Sequence, residues 1–433
     1  MKVYKFGGAS VKDAEAVRNV GRIIEKYGEV EVWVVVSAMG KTTNALETIL
    51  DAYRFNFNNK EKLVESLWGY HENIMHELFP FGEDIVWNEA EEIFSELKIA
   101  LENAEGRDDR TDYAEVISKG EMLSSRIVSA YLQSIGILNE WVDARDLIHT
   151  DNRPEDASVE MEKSKRSFQA KREELLTSGG LHKEGELVVL TQGFIGSHNG
   201  KVTTLGREGS DFTGGIIAWS LNAKELTIWK DVPGMLNADP KYFTDAEVLR
   251  EMSYREAIEL SYYGASVIHP KTIKPLQNRS IPLFVRSFIH PELEGTRIHE
   301  NDKHDDERAS YIFKQDQVLI SISPVDFSFI MEENMSEIFR LLAKHALRAN
   351  LVQNSALSLS ICMDDKGKKV DSFREELSDQ FRVRYNQGLS LITIRHYNEP
   401  TIDKLLRDRV ILVEQRSRQT ARYVVRGGFT QSS

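Results

Sequence analysis

The feature that most constrains the fold is a regular alternation of apolar, strand-like runs with amphipathic helical segments through the first half of the chain. Residues 30–36 form a nearly continuous β-branched run, which is typical of a strand buried on both faces. Before this run, Val17, Val20 and Ile24 recur at helical spacing behind Asp13, a predicted N-cap. The alternation predicts a mostly parallel sheet covered by helices on both faces.

The first predicted strand ends in a pair of glycines suited to binding phosphate. Lys5 precedes Gly7 and Gly8, directly behind a short, mostly apolar opening over residues 1–4. Two adjacent residues without a Cβ atom let backbone N–H groups approach phosphate oxygens, and a helix that begins just beyond adds its positive dipole end. Lys5 can then follow a transferring phosphoryl group as a point charge. The alternative is an ordinary strand-to-helix turn with an incidental lysine.

The composition excludes several classes of function. With 433 residues, 41% of them hydrophobic and 28% charged, the chain is long enough for two or three globular domains. Its net charge of −13 argues against a nucleic-acid or anionic-membrane surface, because such surfaces need clustered Lys and Arg. The single Cys362 excludes an intrachain disulfide. Since no signal-peptide core or run of about 20 apolar residues is present, we expect a cytoplasmic protein.

A change of rhythm marks a domain boundary in the last third of the chain. The segment 298–308 has almost no apolar content, so we predict a large domain over 1–297, a linker over 298–308 and a second domain over 309–433. Beyond the linker, residues 357–361 alternate with period two, and a similar strand–helix–strand unit follows, which predicts two small α+β modules. The acidic segment 51–110 is predicted to be a helical insertion with solvated charged faces.

A second glycine-containing loop gathers charges of both signs. Arg207, Ser210 and Asp211 lie in the segment 203–211, in front of a predicted helix. A guanidinium fork suits a carboxylate, while the Ser210 hydroxyl and backbone donors suit a second anion. We expect Asp211 beside Lys5, where it would fix the ammonium group or a magnesium ion. The alternative is that Asp211 only caps the helix.

Three further segments place polar groups at predicted strand ends or helix starts. Glu121 is expected near a helix N-terminus, where it either accepts hydrogen bonds from a substrate ammonium or serves the helix dipole. Ser37 and Thr43 follow the second strand, where turn chemistry is the simpler explanation. The segment 229–241 is a long charged loop after a strand, and such loops are often functional.

Taken together, these segments resemble the aspartate kinases, the aspartokinase branch of the amino-acid kinase family, over nearly the whole chain. Six segments in the right order carry the resemblance: 5–10, 37–44, 191–194, 206–211, 231–240 and 264–270. The resemblance implies an α/β fold, an amino-acid-kinase-type αβα sandwich followed by two ferredoxin-like ACT modules. It also implies that the two modules are interleaved, because a strand near 309–314 belongs to one module and the other is inserted before the chain returns.

The resemblance implies roles for individual residues, with ATP and Mg²⁺ as the phosphoryl donor and its metal. The catalytic residues would be Lys5, Gly8 and Asp211. The amino-acid substrate would contact Ser37, Thr43, Glu121, Phe194, Arg207 and Ser210. The nucleotide would contact Lys5, Gly7, Gly8, Ser10, Lys230, Asp231, Leu236, Lys241 and Ser266. An effector amino acid would contact Ser323, Met335, Asn350, Asn354 and Ser355. No residue is assigned as a metal ligand.

These roles imply ATP-dependent phosphorylation of the L-aspartate side chain to 4-phospho-L-aspartate, the first step of lysine, threonine and methionine biosynthesis, with feedback inhibition. Lysine is the favoured effector, because monofunctional members of the resembled family are frequently lysine-sensitive and Asp326, Glu332 and Glu333 could face its ammonium. The alternative is that these acids are only solvated. We expect a homodimer or a larger assembly through the ACT modules and no nucleic-acid or membrane partner. The alternatives are a kinase-like amino-acid sensor that no longer turns over and a sister kinase with another acceptor.

Overall fold

The computed structural model describes residues 1–82, 84–107, 110–178, 186–265, 268–326 and 328–427. These residues form two compact units that do not follow the chain in simple order. Within the described residues, the first unit comprises Met1–Met235, Leu249–Ile258 and Val267–Asp302. The second unit comprises Leu236–Val248, Glu259–Ser266 and Lys303–Ser433, again within the described residues.

Ten strands lie in the first unit, and eight of them form one sheet. The strands are β1 (Lys2–Phe6), β2 (Glu31–Val36), β3 (Glu140–Val142), β4 (Leu187–Gln192), β5 (Ile195–His198), β6 (Lys201–Thr204), β7 (Leu226–Lys230), β8 (Glu251–Ser253), β9 (Leu283–Ser287) and β10 (Thr296–His299). The sheet has the order β3-β4-β2-β1-β7-β9-β10-β8, and β5 pairs separately with β6. Only the β9–β10 pair of the large sheet is antiparallel. The predicted mostly parallel sheet is confirmed.

The helices fill the connections between these strands. They are α1 (Ala14–Tyr27), α2 (Thr42–Arg54), α3 (Lys60–Leu78), α4 (Asp84–Ala104), α5 (Arg110–Ser134), α6 (Ala144–Leu147), α7 (Met161–Thr177), α8 (Gly209–Leu221), α9 (Tyr254–Tyr263) and α10 (Pro270–Gln277). A short 3₁₀ helix, Gly8–Val11, precedes α1. The predicted helical insertion is present as α3 and α4. Helix α9 contributes residues to both units.

The register of the central strands places the polar loops at one edge of the sheet. Every residue of β2 is buried, as its β-branched sequence predicts. Lys5 lies opposite Val35 of β2 and Ile228 of β7, in two parallel pairs. Because carboxyl ends of parallel strands meet at the same edge, the loops after β1, β2, β4 and β7 converge there.

The described residues of the second unit form an antiparallel sheet of six strands with three helices. They are β11 (Ser310–Pro324), α11 (Glu332–Lys344), β12 (Ala349–Asn354), β13 (Leu359–Asp364), α12 (Lys368–Ser378), β14 (Phe381–Arg395), α13 (Glu399–Leu406), β15 (Val410–Arg416) and β16 (Thr420–Arg426). The order is β12-β13-β11-β14-β16-β15.

Strands β11 and β14 each serve both halves of this sheet, as interleaved modules would require. Residues 310–314 of β11 pair with residues 391–395 of β14. Residues 317–324 of β11 pair with residues 381–389 of β14. The register shifts after Lys314, where Asp316 has a φ of 52°. The two modules therefore share one continuous sheet that bends at a bulge, because such bulges add local twist.

The boundary between the units differs in detail from the predicted linker over 298–308. Ile298 and His299 belong to β10, and Ile298 is fully buried, so the sheet continues into the segment predicted as linker. The segments 236–248 and 259–266, placed in the first domain on sequence grounds, cluster with the second unit. Contacts distant in sequence decide this assignment. Among the described helices, none combines the length and the apolar content needed to cross a membrane.

Candidate active site

The loop after β1 packs directly against the loop after β2. A Cβ atom on Gly8 would lie 2.8 Å from the Gly40 carbonyl oxygen and 2.9 Å from that of Ala38. Gly40 in turn donates its N–H to the Gly8 carbonyl at 3.0 Å. Glycine is needed at position 8 because no side chain fits between the two backbones.

Lys5 and Asp211 form a buried ion pair, as the sequence predicted. The Lys5 Nζ lies 2.6 Å from Oδ1 of Asp211, whose side chain is fully buried in the first turn of α8. Lys230, the last residue of β7, approaches Oδ2 of the same carboxylate at 3.3 Å. Burial alone raises the pKa of Asp211, but the Lys5 and Lys230 charges outweigh it and hold that pKa below its usual value. Asp211 therefore stays ionised and orients two ammonium groups.

Glu208 is a site residue that the sequence reasoning missed. It is the N-cap of α8, with a left-handed φ of 56°, yet its side chain makes no capping hydrogen bond. Its Oε2 lies 3.8 Å from the Lys230 Nζ. Burial is the largest cause that raises the pKa of Glu208, while Lys230 opposes the shift and Asp211 adds to it. The sequence did contain a signal for this residue, because Glu208 is an acidic residue between Gly206 and Gly209 in the segment 203–211.

A cavity of about 550 Å³ opens beside this charged group. It is lined by all nine residues predicted to be catalytic or substrate-binding: Lys5, Gly8, Ser37, Thr43, Glu121, Phe194, Arg207, Ser210 and Asp211. Residues that were not predicted also line it, among them Tyr113, Glu155, Asp156 and Glu208. The cavity combines cations, carboxylates and hydroxyls at the sheet edge where ligands bind in open α/β sheets.

Glu121 lies in the middle of α5, not at its N-terminus, so the helix-dipole explanation is wrong. The 25-residue helix Arg110–Ser134 carries the carboxylate into the cavity, where the residue is only 3% exposed. The Ala38 N–H donates to Oε1 at 3.3 Å, and Oε2 has no hydrogen-bond partner among the described residues. Burial raises the pKa of Glu121 to about 8, against smaller opposing effects of the Ala38 N–H and Lys5.

The turn after β4 holds the opposite wall of the cavity. Phe194 has a left-handed φ of 70°, and its backbone N–H donates to Thr213 Oγ1 at 3.1 Å. A Cβ atom on Gly193 would lie 2.5 Å from the Ser210 Cβ, and one on Gly209 would lie 2.7 Å from the Phe194 ring. Two glycines therefore let the Phe194 turn lie directly on the first turn of α8.

Arg207 is exposed at the cavity and makes no ion pair with another described residue. The guanidinium can therefore accept an anionic ligand without breaking a contact seen in the described chain. Its neighbour Gly206 has a φ of 75°, and a Cβ atom there would lie 2.3 Å from an oxygen of Asp156. Asp156 is itself paired with Lys271.

The structure does not gather all residues predicted to bind the nucleotide. Ser10 is buried, and its hydroxyl donates to the Trp229 carbonyl at 3.2 Å. Ser10, Gly7 and the exposed Asp231 are not among the residues that line the cavity. Lys230 joins the site through Asp211 and Glu208. Leu236 and Lys241 belong to the segment that clusters with the second unit. Ser266 lies outside the described residues.

The residues predicted to bind an effector separate into two groups. Ser323, the last residue but one of β11, follows Ile322, which pairs with Leu359. Asn354 also lies opposite Leu359, so Ser323, Asn354 and Ser355 lie toward one end of the sheet. The loop there is closed by the Ile330 N–H, which donates to Ala356 at 3.0 Å. Met335 packs on the hydrophobic core below α11.

Asn350 lies four residues earlier on β12 and is occupied by other contacts. Its Oδ1 accepts from Lys314 at 2.9 Å, and its Nδ2 donates to Gln317 and Asp364 at 2.8 Å each. Four residues of extended strand span roughly 13 Å, so the Asn350 side chain does not share a pocket end with Asn354. The structure therefore does not bring Asn350 together with the other predicted effector residues.

The sheet is mostly parallel, a glycine turn follows β1, and a cavity adjoins the buried Lys5–Asp211 pair. This arrangement defines a phosphotransferase of the amino-acid kinase type. Residues 1–287 match the model of the amino acid kinase family. The chain belongs to that family and, within it, to the aspartokinases.

Curated relatives and solved structures carry this assignment. Lysine-sensitive aspartokinase 3 of Escherichia coli (strain K12) is 29% identical over 401 residues, which cover 90% of this chain and 86% of that protein. Aspartokinase 1, chloroplastic, of Arabidopsis thaliana is 30% identical over 411 residues, covering 90% and 70%. The crystal structure of E. coli aspartokinase III in complex with lysine and aspartate has a TM-score of 0.81 and 25% identity, covering 98% of this chain and 96% of that one. A structure of the same enzyme with aspartate and ADP has a TM-score of 0.80 at the same identity and coverage. The predicted fold class and family are confirmed.

Proposed function

We propose that this chain catalyses ATP-dependent phosphorylation of the side-chain carboxylate of L-aspartate, giving 4-phospho-L-aspartate and ADP. The observation that carries the proposal is a single cavity lined by the Lys5–Asp211 pair, Glu121 and Arg207. One related E. coli structure holds aspartate and ADP, which are the acceptor and the product nucleotide of this reaction. The product would enter lysine, threonine and methionine biosynthesis.

The amino acid would be held by groups of opposite charge. Arg207 would bind a carboxylate through its bidentate fork, because its guanidinium is exposed at the cavity. The unpartnered Oε2 of Glu121 would accept from the substrate ammonium, which satisfies a buried polar atom. The hydroxyls of Ser37, Thr43 and Ser210 would add polar contacts, and Phe194 would form a wall.

The chemistry then needs alignment and charge neutralisation but no proton transfer. The aspartate side chain, with a free pKa of about 3.9, is already ionised at neutral pH. One of its oxygens forms a bond to the γ-phosphorus while the bond to the bridging oxygen breaks, and the electron pair leaves with ADP. Lys5 would compensate the charge on the equatorial oxygens, held in place by Asp211. Gly8 would let backbone donors approach the phosphates.

Magnesium fits this site as part of a metal–nucleotide complex. Among the described residues there is no cluster of three or more His, Cys, Asp or Glu side chains able to cage a metal. Mg²⁺ commonly binds through one or two carboxylates and the phosphates of its nucleotide, and here Asp211 is the nearest ionised carboxylate to Lys5. When bound, the ion supplies positive charge to the phosphate oxygens. Within the first unit, the other proposed nucleotide contacts are Gly7, Ser10, Lys230 and Asp231.

Regulation is proposed to reside in the two modules of the second unit. The proposed effector is lysine, supported by the E. coli relative named lysine-sensitive and by its structure with lysine. Its site would include Ser323, Met335, Asn354 and Ser355. We further propose a cytoplasmic enzyme that assembles as a homodimer or a larger oligomer through these modules.

An acceptor assay tests the proposal. ADP release with L-aspartate, L-glutamate, N-acetylglutamate and a nucleoside monophosphate should show turnover with aspartate alone. Turnover with another acceptor would establish a sister kinase. Amino-acid binding without any ADP release would establish a sensor that no longer turns over.

A further inference from the structure

A second cavity, of about 610 Å³, lies between helices α2 and α3 of the first unit. Most of its wall is apolar, because Ala45 and Ile49 of α2 and Leu63 and Leu67 of α3 line it. The two residues of each pair are four positions apart, so they lie on one side of their helix. The volume is in the range of small-molecule sites in proteins. None of the residues predicted to bind aspartate or the nucleotide lines this cavity.

One end of this cavity is polar and carries two lysines. Lys41 follows Gly40, and a Cβ atom on Gly40 would lie 3.6 Å from the Lys12 Cβ, so both lysine side chains begin beside the same glycine. Tyr70 lies at this end too, and its hydroxyl donates to the Lys12 carbonyl. Both lysines are exposed, and neither forms an ion pair with another described residue.

The charges at this end favour an anion. None of the described residues that line the cavity is Asp or Glu. Asp13 is an acidic neighbour, since its charge adds to the effect of burial in raising the pKa of Tyr70 to about 12. The Asp13 carboxylate caps α1 by accepting from the Ala16 N–H at 2.8 Å, and Asp13 does not line the cavity. An anion can therefore reach both lysines without breaking an ion pair of the described chain.

We propose that this cavity is a second ligand site, which binds a small organic carboxylate with an apolar body. The carboxylate contacts the ammonium groups of Lys12 and Lys41, and the apolar body lies between α2 and α3. Aspartate suits this site poorly, because the apolar walls offer no partner to its second carboxylate or its ammonium group. The site is separate from the proposed active site, although Gly40 lines both cavities. The inference does not depend on the proposed phosphotransferase function.

The test is calorimetric titration of the full chain with hexanoate. Hexanamide and hexylamine carry the same apolar body without the negative charge, and acetate carries the charge without the body. Lys12→Gln combined with Lys41→Gln removes both cations, and Thr48→Trp fills the cavity with a larger side chain from α2. The matched controls are Lys62→Gln and Glu65→Trp, because both residues are exposed on α3 and neither lines the cavity. Urea unfolding checks that each variant is folded.

Hexanoate should bind at least about fivefold more tightly than hexanamide, hexylamine or acetate. The double lysine variant should lose the preference for hexanoate over hexanamide, and Thr48→Trp should weaken hexanoate binding at least about tenfold. The two control variants should change it by less than about twofold. Absence of hexanoate binding in the millimolar range, or unchanged binding in the double lysine variant or in Thr48→Trp, would overturn the inference. Displacement of hexanoate by aspartate would also overturn it, because the probe would then lie in the cavity beside Arg207.

Discussion

At the scale of single residues, the site depends on charges placed where water is largely excluded. Asp211 is fully buried between two lysines, Glu121 is almost fully buried with one unpartnered oxygen, and Arg207 is exposed at the cavity. Because electrostatic interactions strengthen in a low-dielectric site, the buried Asp211 and Glu121 should each have a measurable function, while the exposed Arg207 should act through direct contact with a ligand.

Lys5→Ala should lower kcat by at least about 100-fold, because the phosphoryl group loses its nearest cation. Aspartate binding, measured by calorimetry, should remain, since Arg207 and Glu121 are untouched. Lys2→Ala is the control, because Lys2 lies on the same strand and pairs with Glu225 at 3.4 Å. Retention of more than about a tenth of kcat in Lys5→Ala would remove Lys5 from the catalytic role.

Arg207→Lys should raise the aspartate KM at least about tenfold and leave the ATP KM within about twofold. A point charge cannot reproduce the two parallel hydrogen bonds of a guanidinium with a carboxylate. Arg153→Lys, an exposed arginine paired with Asp151 at 2.9 Å, is the control in the same steady-state assay. A raised ATP KM with unchanged aspartate KM would move Arg207 to the nucleotide side.

Aspartate binding should release about one proton near pH 7, and the source should be Glu121. With a pKa of about 8, the Glu121 carboxyl is mostly protonated in the free enzyme at that pH. A bound ammonium favours the carboxylate and lowers this pKa, so the proton leaves. Above the free-enzyme pKa the carboxyl is already ionised, so the release should fade as the pH rises.

Calorimetry in buffers of different ionisation enthalpy measures this proton release directly. The aspartate affinity should rise with pH between 6 and about 8, since less work is then needed to ionise Glu121. Glu121→Gln should bind aspartate weakly and without proton release. An equal release from Glu121→Gln would show that another group titrates.

At the scale of elements, the turn between β1 and α1 is limited by backbone packing. Gly8→Ala should destabilise the protein by about 1–3 kcal/mol, because the added methyl group meets two backbone oxygens that cannot move aside like a flexible side chain. Gly7→Ala is the matched control, since its Cβ atom would lie 3.4 Å from the end of the Lys5 side chain. Urea unfolding measures both, and equal destabilisation would contradict the packing explanation.

Helix α5 shows how an element can carry a functional group that no local pattern reveals. Its 25 residues begin at Arg110, so Glu121 reaches the cavity from the middle of the helix. The sequence was expected to place the segment 118–121 in front of a helix, with Glu121 near the helix N-terminus. Ser118 and Gly120 are instead buried helical positions, where packing against neighbouring elements outweighs local preference.

At the scale of the whole molecule, regulation should depend on one end of the second-unit sheet. Lysine should inhibit more strongly than threonine or methionine in parallel titrations of activity. Asn354→Ala should raise the lysine concentration for half-inhibition by at least about fivefold and leave uninhibited kcat unchanged, because it removes an exposed amide from the proposed pocket. Inhibition by threonine alone would contradict lysine as the effector.

Asn350→Ala provides the contrast. It should lower the free energy of unfolding by about 1–3 kcal/mol, because it removes the partner of Lys314, Gln317 and Asp364, and should leave the lysine response unchanged. A stable variant with an altered lysine response would return Asn350 to the effector site.

The sequence by itself determined the class of fold and most of the site. The buried apolar runs of β1, β2 and β7 require a parallel sheet, and parallel strands bring the loops that follow them to one edge. Lys5 near the end of β1 and Asp211 in front of a helix could therefore be expected at one site, and the resemblance to the aspartate kinases implied the role of Arg207 there.

Only the tertiary structure decided the positions of the other site residues and the division into units, because these depend on contacts between residues distant in the chain. Three features of the structure follow from packing that no local pattern encodes. Glu121 lies in the middle of α5, and Glu208 has a left-handed backbone beside Lys230. Asn350 forms hydrogen bonds with Lys314 and Asp364. The division of the chain into two units also depends on such contacts. The described residues of the segments 236–248 and 259–266 belong to the second unit because they contact residues much later in the sequence. Local preferences are weak compared with such packing, so residues in loops and at unit boundaries were placed by the fold as a whole.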